Sequence, residues 1–175
     1  MKEIGDTASA ESKLLAQLNE VFSHFRVAGQ TQTHNLEKGI EILQSVRTLV
    51  YENMNQLQHE ALLLKTAKYL QEKVYPNVQI KWLWNPRQTG TKNEPDLQGW
   101  DNKKVIVSAE VTTSLIPQGA TNKRMTTTLT KLSAMPGDKY YIIATEEMDS
   151  RAKSKAITLG YDIKVLRLSI ITKID

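Results

Sequence analysis

The chain has 175 residues and a formal net charge of +4, and 40% of its residues are apolar, which suits one domain able to bury its own core. It contains no cysteine, which excludes disulfide bonds, thiolate metal sites and a cysteine nucleophile. No stretch approaches about 18 consecutive apolar residues, and the polar first ten residues do not resemble a signal peptide, so we expect a cytoplasmic protein with no membrane partner.

Before Tyr75, apolar residues recur at steps of three and four, a spacing that predicts helices with one apolar face. Pro76 ends this part, because the residue before a proline is pushed out of helical geometry. The predicted helical stretches are 14–25, 36–50 and 57–70. The last two could form a single bent helix, since neither glycine nor proline separates them.

After Pro76 the apolar period changes to two, which is typical of strands, and short helices return between the later strands. The predicted order is strand 78–84, loop 85–93, strand 96–100, strand 104–112, helix 121–135, strand 140–145, helix 147–159 and strand 163–168. The first strands would pair as hairpins and the later ones would enter by crossovers. We therefore predict an α/β fold, a mixed β-sheet with helices on both faces.

The positive charge is unevenly distributed along the chain. Through Tyr75 there are 8 basic and 9 acidic residues, and from Pro76 onward there are 15 basic and 10 acidic residues. The strand-rich part therefore carries an excess of +5, which would attract polyanions such as nucleic acids but is too small to identify the partner by itself.

Two carboxylates stand out in the predicted hairpin. Glu110 lies mid-strand, where acidic residues are disfavoured, on the face opposite a row of small apolar residues. Asp96 would face the same side with a three-residue turn at 101–103, and would lie directly opposite Glu110 if that turn moved on by one residue. A two-residue turn at 101–102 would put them on opposite faces.

Two like charges this close call for a cation, and a divalent metal with oxygen ligands is the natural one. The alternative is that Asp96 caps a turn after Pro95 while Glu110 pairs with a lysine.

Pro95-Asp96, thirteen residues and then Glu110-Val111-Thr112 resemble the signature of the PD-(D/E)XK nuclease superfamily. The predicted element order over 59–168 is also similar to the core of that superfamily. The resemblance implies a restriction-endonuclease-like mixed sheet flanked by helices, with an N-terminal helical extension over 1–55 and a nuclease core over 56–175.

The resemblance implies a metal-dependent endonuclease that acts on DNA, with double-stranded DNA as the expected substrate and restriction or defence as one role. Asp96, Glu110 and the Val111 carbonyl would hold Mg²⁺, for which Mn²⁺ can substitute. Glu60 matches a glutamate that many relatives place on the preceding helix to widen the metal site. Its ordinary alternative is a first-turn glutamate favoured by the helix dipole.

One position departs from the family pattern, because Thr112 stands where a lysine is usual. That lysine would orient the attacking water and stabilise charge on the phosphate. We favour Lys123 as its substitute over Lys81 and over Lys131, two turns further along the helix. The alternative is a catalytically degenerate module that binds nucleic acid or a partner protein without cleavage.

Two partners are expected from these features: DNA and a second copy of the chain. Lys123, Arg124 and Thr127 belong to a cluster of donors suited to phosphate oxygens, although the cluster would equally suit a solvated helix start. His59 is the one histidine near the proposed site and is expected to be an ordinary helix residue.

The apolar stripes of the N-terminal helices could mediate a homodimer, which suits an enzyme that cuts both strands of a duplex.

Overall fold

Six strands and four helices make up the computed structural model, which describes residues 1–86 and 93–168. The strands are β1 (Lys2–Glu3), β2 (Lys81–Trp84), β3 (Leu97–Asp101), β4 (Lys104–Val111), β5 (Asp138–Ile143) and β6 (Lys164–Arg167). The helices are α1 (Thr7–Gln30), α2 (Leu36–Tyr69), α3 (Gly119–Ser133) and α4 (Glu146–Thr158), and a π-helical turn continues α2 over Leu70–Val74. Most of the predicted loop over 85–93 lies outside the described residues.

The six strands lie side by side in chain order. Strands β1 to β4 pair antiparallel, whereas β4, β5 and β6 pair parallel, so that α3 and α4 serve as the crossovers that parallel neighbours need. The prediction of a mixed sheet flanked by helices is confirmed. Among the described residues, no helix is long and apolar enough to cross a membrane.

Alternate residues of the sheet feed two cores. One face packs against α1 and α2, in a core that includes Leu63, Leu97 and Ile142. The other face packs against α3 and α4, with Leu129 and Ile143 in its centre. The second half of β5 is therefore covered on both sides, which explains its uninterrupted buried run over 140–143.

The two long helices form an antiparallel hairpin. Asp6 caps α1 by accepting hydrogen bonds from the Ala8 and Ser9 N–H groups at 3.2 and 3.0 Å. Asn35 caps α2 in the same way by accepting from the Lys38 N–H at 2.8 Å. The two predicted stripes over 36–70 thus belong to one continuous helix, and the predicted domain boundary between 55 and 56 lies inside it.

Strand β1 is an element that the sequence did not predict. It has two residues and pairs with β2, opposite Trp84 and Leu83. Two residues are too few to show an apolar period, so periodicity could not reveal it.

Gly137 brings the loop after α3 into close contact with β4. Its φ of 75° lies in the left-handed region, and an added Cβ would lie 2.5 Å from the Ile106 carbonyl carbon. This approach lets the Ser108 hydroxyl donate to the Pro136 carbonyl at 2.8 Å. The loop therefore anchors the strand that carries Glu110.

We expect Gly137→Ala to lower the free energy of unfolding by about 2–5 kcal/mol, because left-handed strain and a backbone clash add together. Gly160 is the matched control, since its φ is 68° but an added Cβ would meet nothing within 4 Å. Gly160→Ala should cost only the strain, about 1–2 kcal/mol. Urea unfolding of both variants measures the difference, and equal losses would contradict the clash.

Candidate active site

The register of the β3–β4 hairpin places Asp96 and Glu110 opposite each other. Its turn has two residues, because Asp101 pairs with Lys104. A β-bulge then shifts the register by one, so that Leu97 pairs with Ala109 and the next position sets Asp96 opposite Glu110. The register that brings the carboxylates together is therefore reached through the bulge, and not through the shifted turn that the sequence suggested.

Two groups contact one carboxylate oxygen of Asp96. The Val111 N–H donates to its Oδ2 at 2.9 Å, and His59 Nε2 lies 3.4 Å from the same oxygen. Asn85 fixes the backbone beside it by donating from Nδ2 to the Pro95 carbonyl at 2.7 Å. Within the described residues, Asp96 Oδ1 makes no hydrogen bond or ion pair, so it is available to a ligand.

Glu110 is a buried carboxylate with a lysine against it. Its Oε1 lies 2.6 Å from Lys131 Nζ, which reaches it from α3. Burial, followed by the nearby Asp96 carboxylate, raises the pKa of Glu110 to about 7, while Lys131 and His59 act in the opposite direction. One lysine therefore does not fully compensate the pair, and a further positive charge would stabilise it.

The Glu110 and Asp96 carboxylates also affect Tyr141 on the neighbouring strand. Tyr141 on β5 is buried and lines the site. Its burial, together with the Glu110 and Asp96 carboxylates, raises the pKa of the phenol well above its usual range. The phenol therefore stays protonated as a neutral wall of the site.

The carboxylates open onto a cleft of about 750 Å³ between α2 and α3. One wall is a row of α3 side chains, the α3 polar stripe: Thr121, Arg124, Thr128 and Lys131. These residues recur at steps of three and four, so they lie on one face of the helix. Thr112, Thr113 and Ser114 close the end of the cleft after β4. Hydroxyl and guanidinium donors of this kind suit phosphate oxygens.

Seven residues were assigned to the site or to nucleic-acid binding from the sequence, and four of them line the cleft: Asp96, Glu110, Val111 and Arg124. Glu60 does not: it is buried, and it lines a small cavity beside Val21, between α1 and α2. It follows His59 by one residue, and one residue turns a side chain by about 100° around a helix.

The structure places Lys131, and not the favoured Lys123, at the carboxylates. Lys131 contacts Glu110, whereas Lys123 is exposed and is not among the residues that line the cleft. Lys131 follows Lys123 by eight positions, which places the two side chains about 80° apart around α3 and about 12 Å apart along it. Thr127 is also exposed and away from the cleft, and Lys81 pairs with Glu3 at 2.8 Å.

Two residues that were named from the sequence received no role in the preferred site. Lys131 could have been preferred to Lys123 from the period of α3, because Arg124 and Lys131 are seven residues apart and share a face. His59 gave no comparable signal, since its contact with Asp96 joins α2 to the residue before β3. Its Nδ1 is buried and has no hydrogen-bond partner among the described residues.

Comparisons with protein-family models, with curated proteins and with solved structures each found no match. The chemistry of the site has to be inferred from its own residues.

The available ligands fit Mg²⁺, although within 1–86 and 93–168 no group of three or more acidic, histidine or cysteine side chains could hold a metal ion. Mg²⁺ is usually held by one or two carboxylates, with water and substrate phosphate filling the other positions. Asp96 and Glu110 supply two carboxylates. The Val111 N–H donates to Asp96 Oδ2, so Val111 lies beside the carboxylates, where its carbonyl could supply a third oxygen.

The raised pKa of Glu110 predicts a pH-dependent stability in metal-free buffer. Ionisation of Glu110 lowers the free energy of unfolding as the pH rises from its ordinary pKa of 4.5 to about 7, and the penalty is complete above that. We expect Glu110→Gln to be more stable than the wild type by about 2–3 kcal/mol near pH 8, and about equally stable near pH 4. Urea unfolding at both pH values tests this, and a difference that does not change with pH would contradict it.

Proposed function

We propose that this protein is a Mg²⁺-dependent endonuclease with a restriction-endonuclease-like core, which hydrolyses phosphodiester bonds of double-stranded DNA. One observation carries the proposal: Asp96 and Glu110 face each other across the hairpin at a polar cleft, with Lys131 in contact with Glu110. The excess of +5 in the strand-rich part of the chain is consistent with a polyanionic substrate.

Asp96, Glu110 and the Val111 carbonyl would hold Mg²⁺, or Mn²⁺ in its place. When bound, such an ion lowers the pKa of a coordinated water and stabilises charge on the leaving oxygen. Val111 and His59 both engage Asp96 Oδ2, and this leaves Oδ1 directed away from them. The carboxylate is thereby fixed before a ligand arrives, which lowers the cost of binding.

Lys131 takes the role that the usual lysine would have at Thr112. Its ammonium group lies against Glu110, so it is close to the phosphate that would occupy the site. In that position it can orient the attacking water by hydrogen bonding and stabilise the charge that develops on the phosphate oxygens. The presence of this lysine favours a cutting enzyme over a degenerate module that only binds.

The α3 polar stripe would position the substrate. Arg124 offers paired N–H donors to a phosphate, and Thr121 and Thr128 on the same face add hydroxyl donors. Contacts of this kind fix the register of a nucleic-acid backbone without reading its sequence.

The decisive experiment is cleavage of supercoiled plasmid with Mg²⁺ and with EDTA. We expect the wild type to cut only with Mg²⁺, and both Asp96→Asn and Glu110→Gln to lose cleavage while keeping their circular dichroism. Glu60→Gln is the matched control, since Glu60 is a buried carboxylate away from the cleft. Binding of DNA by the wild type without any cleavage would instead identify the degenerate module.

A second prediction separates the two lysines. Lys131→Met should lower the single-turnover rate on a DNA duplex by about 100- to 1,000-fold, because charge stabilisation at the phosphate is lost. Duplex binding with Ca²⁺ in place of Mg²⁺ should change by only a few fold, since one contact of many is removed. Lys123→Met is the control and should cut like the wild type. An equal loss in both variants would remove Lys131 from its proposed role.

A further inference from the structure

The hairpin of α1 and α2 has a large apolar surface that the rest of the described chain does not cover. Its eight members are large apolar residues with exposed fractions between 39% and 80%: Leu15, Phe22, Phe25, Leu36, Ile40, Leu43, Tyr51 and Met54. We call this set the hairpin apolar face. The seam that joins the two helices is separate and buried, and it includes Leu14, Val21, Val50 and Leu57.

The eight residues lie on one side of the hairpin. On α1, Leu15 and Phe22 are turned from the buried Leu14 and Val21 by about 100° toward increasing residue angle, since each residue adds about 100°. On α2, Ile40 and Tyr51 are turned from the buried seam in the same rotational sense. Because the two helices run antiparallel, equal rotations lead to the same side.

The area of this face matches what a stable interface needs. At about 200 Å² for a whole large side chain, the exposed fractions amount to roughly 900 Å². The largest apolar patch on a typical monomer covers about 300–600 Å², and a standard interface takes about 800 Å² from each partner. Arg47 lies on the same side, where its apolar stem can extend over the patch.

We propose that two copies of this chain pack their hairpin apolar faces together and form a four-helix bundle. A second copy is the occupant because two antiparallel helices with one apolar side are half of such a bundle, and a two-fold axis lets the same face serve both partners. The area of one face suffices for this contact. The proposal does not depend on nuclease activity, since no residue of the face lines the cleft.

The test is the oligomeric state of the full chain, measured by sedimentation equilibrium over a wide range of protein concentration, without DNA or metal. We expect the wild type to have the mass of two chains. Phe22→Asp and Leu43→Asp should each raise the dissociation constant at least about 100-fold, because a charge would be buried without a partner. A monomeric wild type would overturn the proposal.

The control comes from the opposite side of the hairpin. Leu49 and Val27 are also exposed but are turned away from the apolar face, so Leu49→Asp and Val27→Asp should remain dimeric. Dissociation of the controls to the same extent, or retention of the dimer in all four variants, would overturn the assignment of this face.

Alkylation gives a second readout, because the chain has no cysteine of its own. Leu43→Cys should react more slowly as protein concentration rises, whereas the rate for Leu49→Cys should stay constant. Circular dichroism of every variant shows whether the helices remain folded. A cysteine at 43 that reacts equally fast at all concentrations would contradict the proposed bundle.

Discussion

The ion pair between Lys131 and Glu110 joins helix α3 to the β-sheet, and the candidate site depends on both. Glu110 is buried on β4, and Lys131 reaches it from α3 with 2.6 Å between Nζ and Oε1. Leu129 and Leu132 fix the helix because they are fully buried against the sheet. Packing on that side of the protein therefore determines where the ammonium group lies, and a helix displaced by one turn would leave a buried charge without compensation.

The Asp96 and Glu110 carboxylates, in contrast, are an unfavourable arrangement of charge. Asp96 and Glu110 repel each other at one level of the sheet, and burial makes the ionised form of Glu110 less favourable. A fold selected only for stability would replace one carboxylate with an apolar or neutral side chain. A buried carboxylate whose pKa is raised by desolvation and by a neighbouring charge, and which opens onto a cleft, is a candidate functional group.

Much of the fold and of the candidate site could be predicted from the sequence, and the parts that could not be predicted have physical causes. Alternation along β4 correctly put Glu110 on a face of its own, because side-chain direction in a strand depends only on parity. The pairing of Asp96 with Glu110 depended on a bulge, which turn length alone does not reveal. Lys131 lies two turns along α3 from Lys123, so its approach to Glu110 follows from the helical period and not from closeness along the chain to β4. The contact of His59 joins distant segments and could come only from tertiary structure.

The bulge in the β3–β4 hairpin has a consequence for how this segment can change. One extra residue on β4 forms the bulge. As a result, the pairing at the tip of the hairpin over 100–105 differs by one residue from the pairing at the carboxylate end. Additions or losses at the tip that keep this difference in pairing would leave the two acidic residues facing each other. A change of length at the tip therefore does not by itself separate the two acidic side chains at the other end of the hairpin.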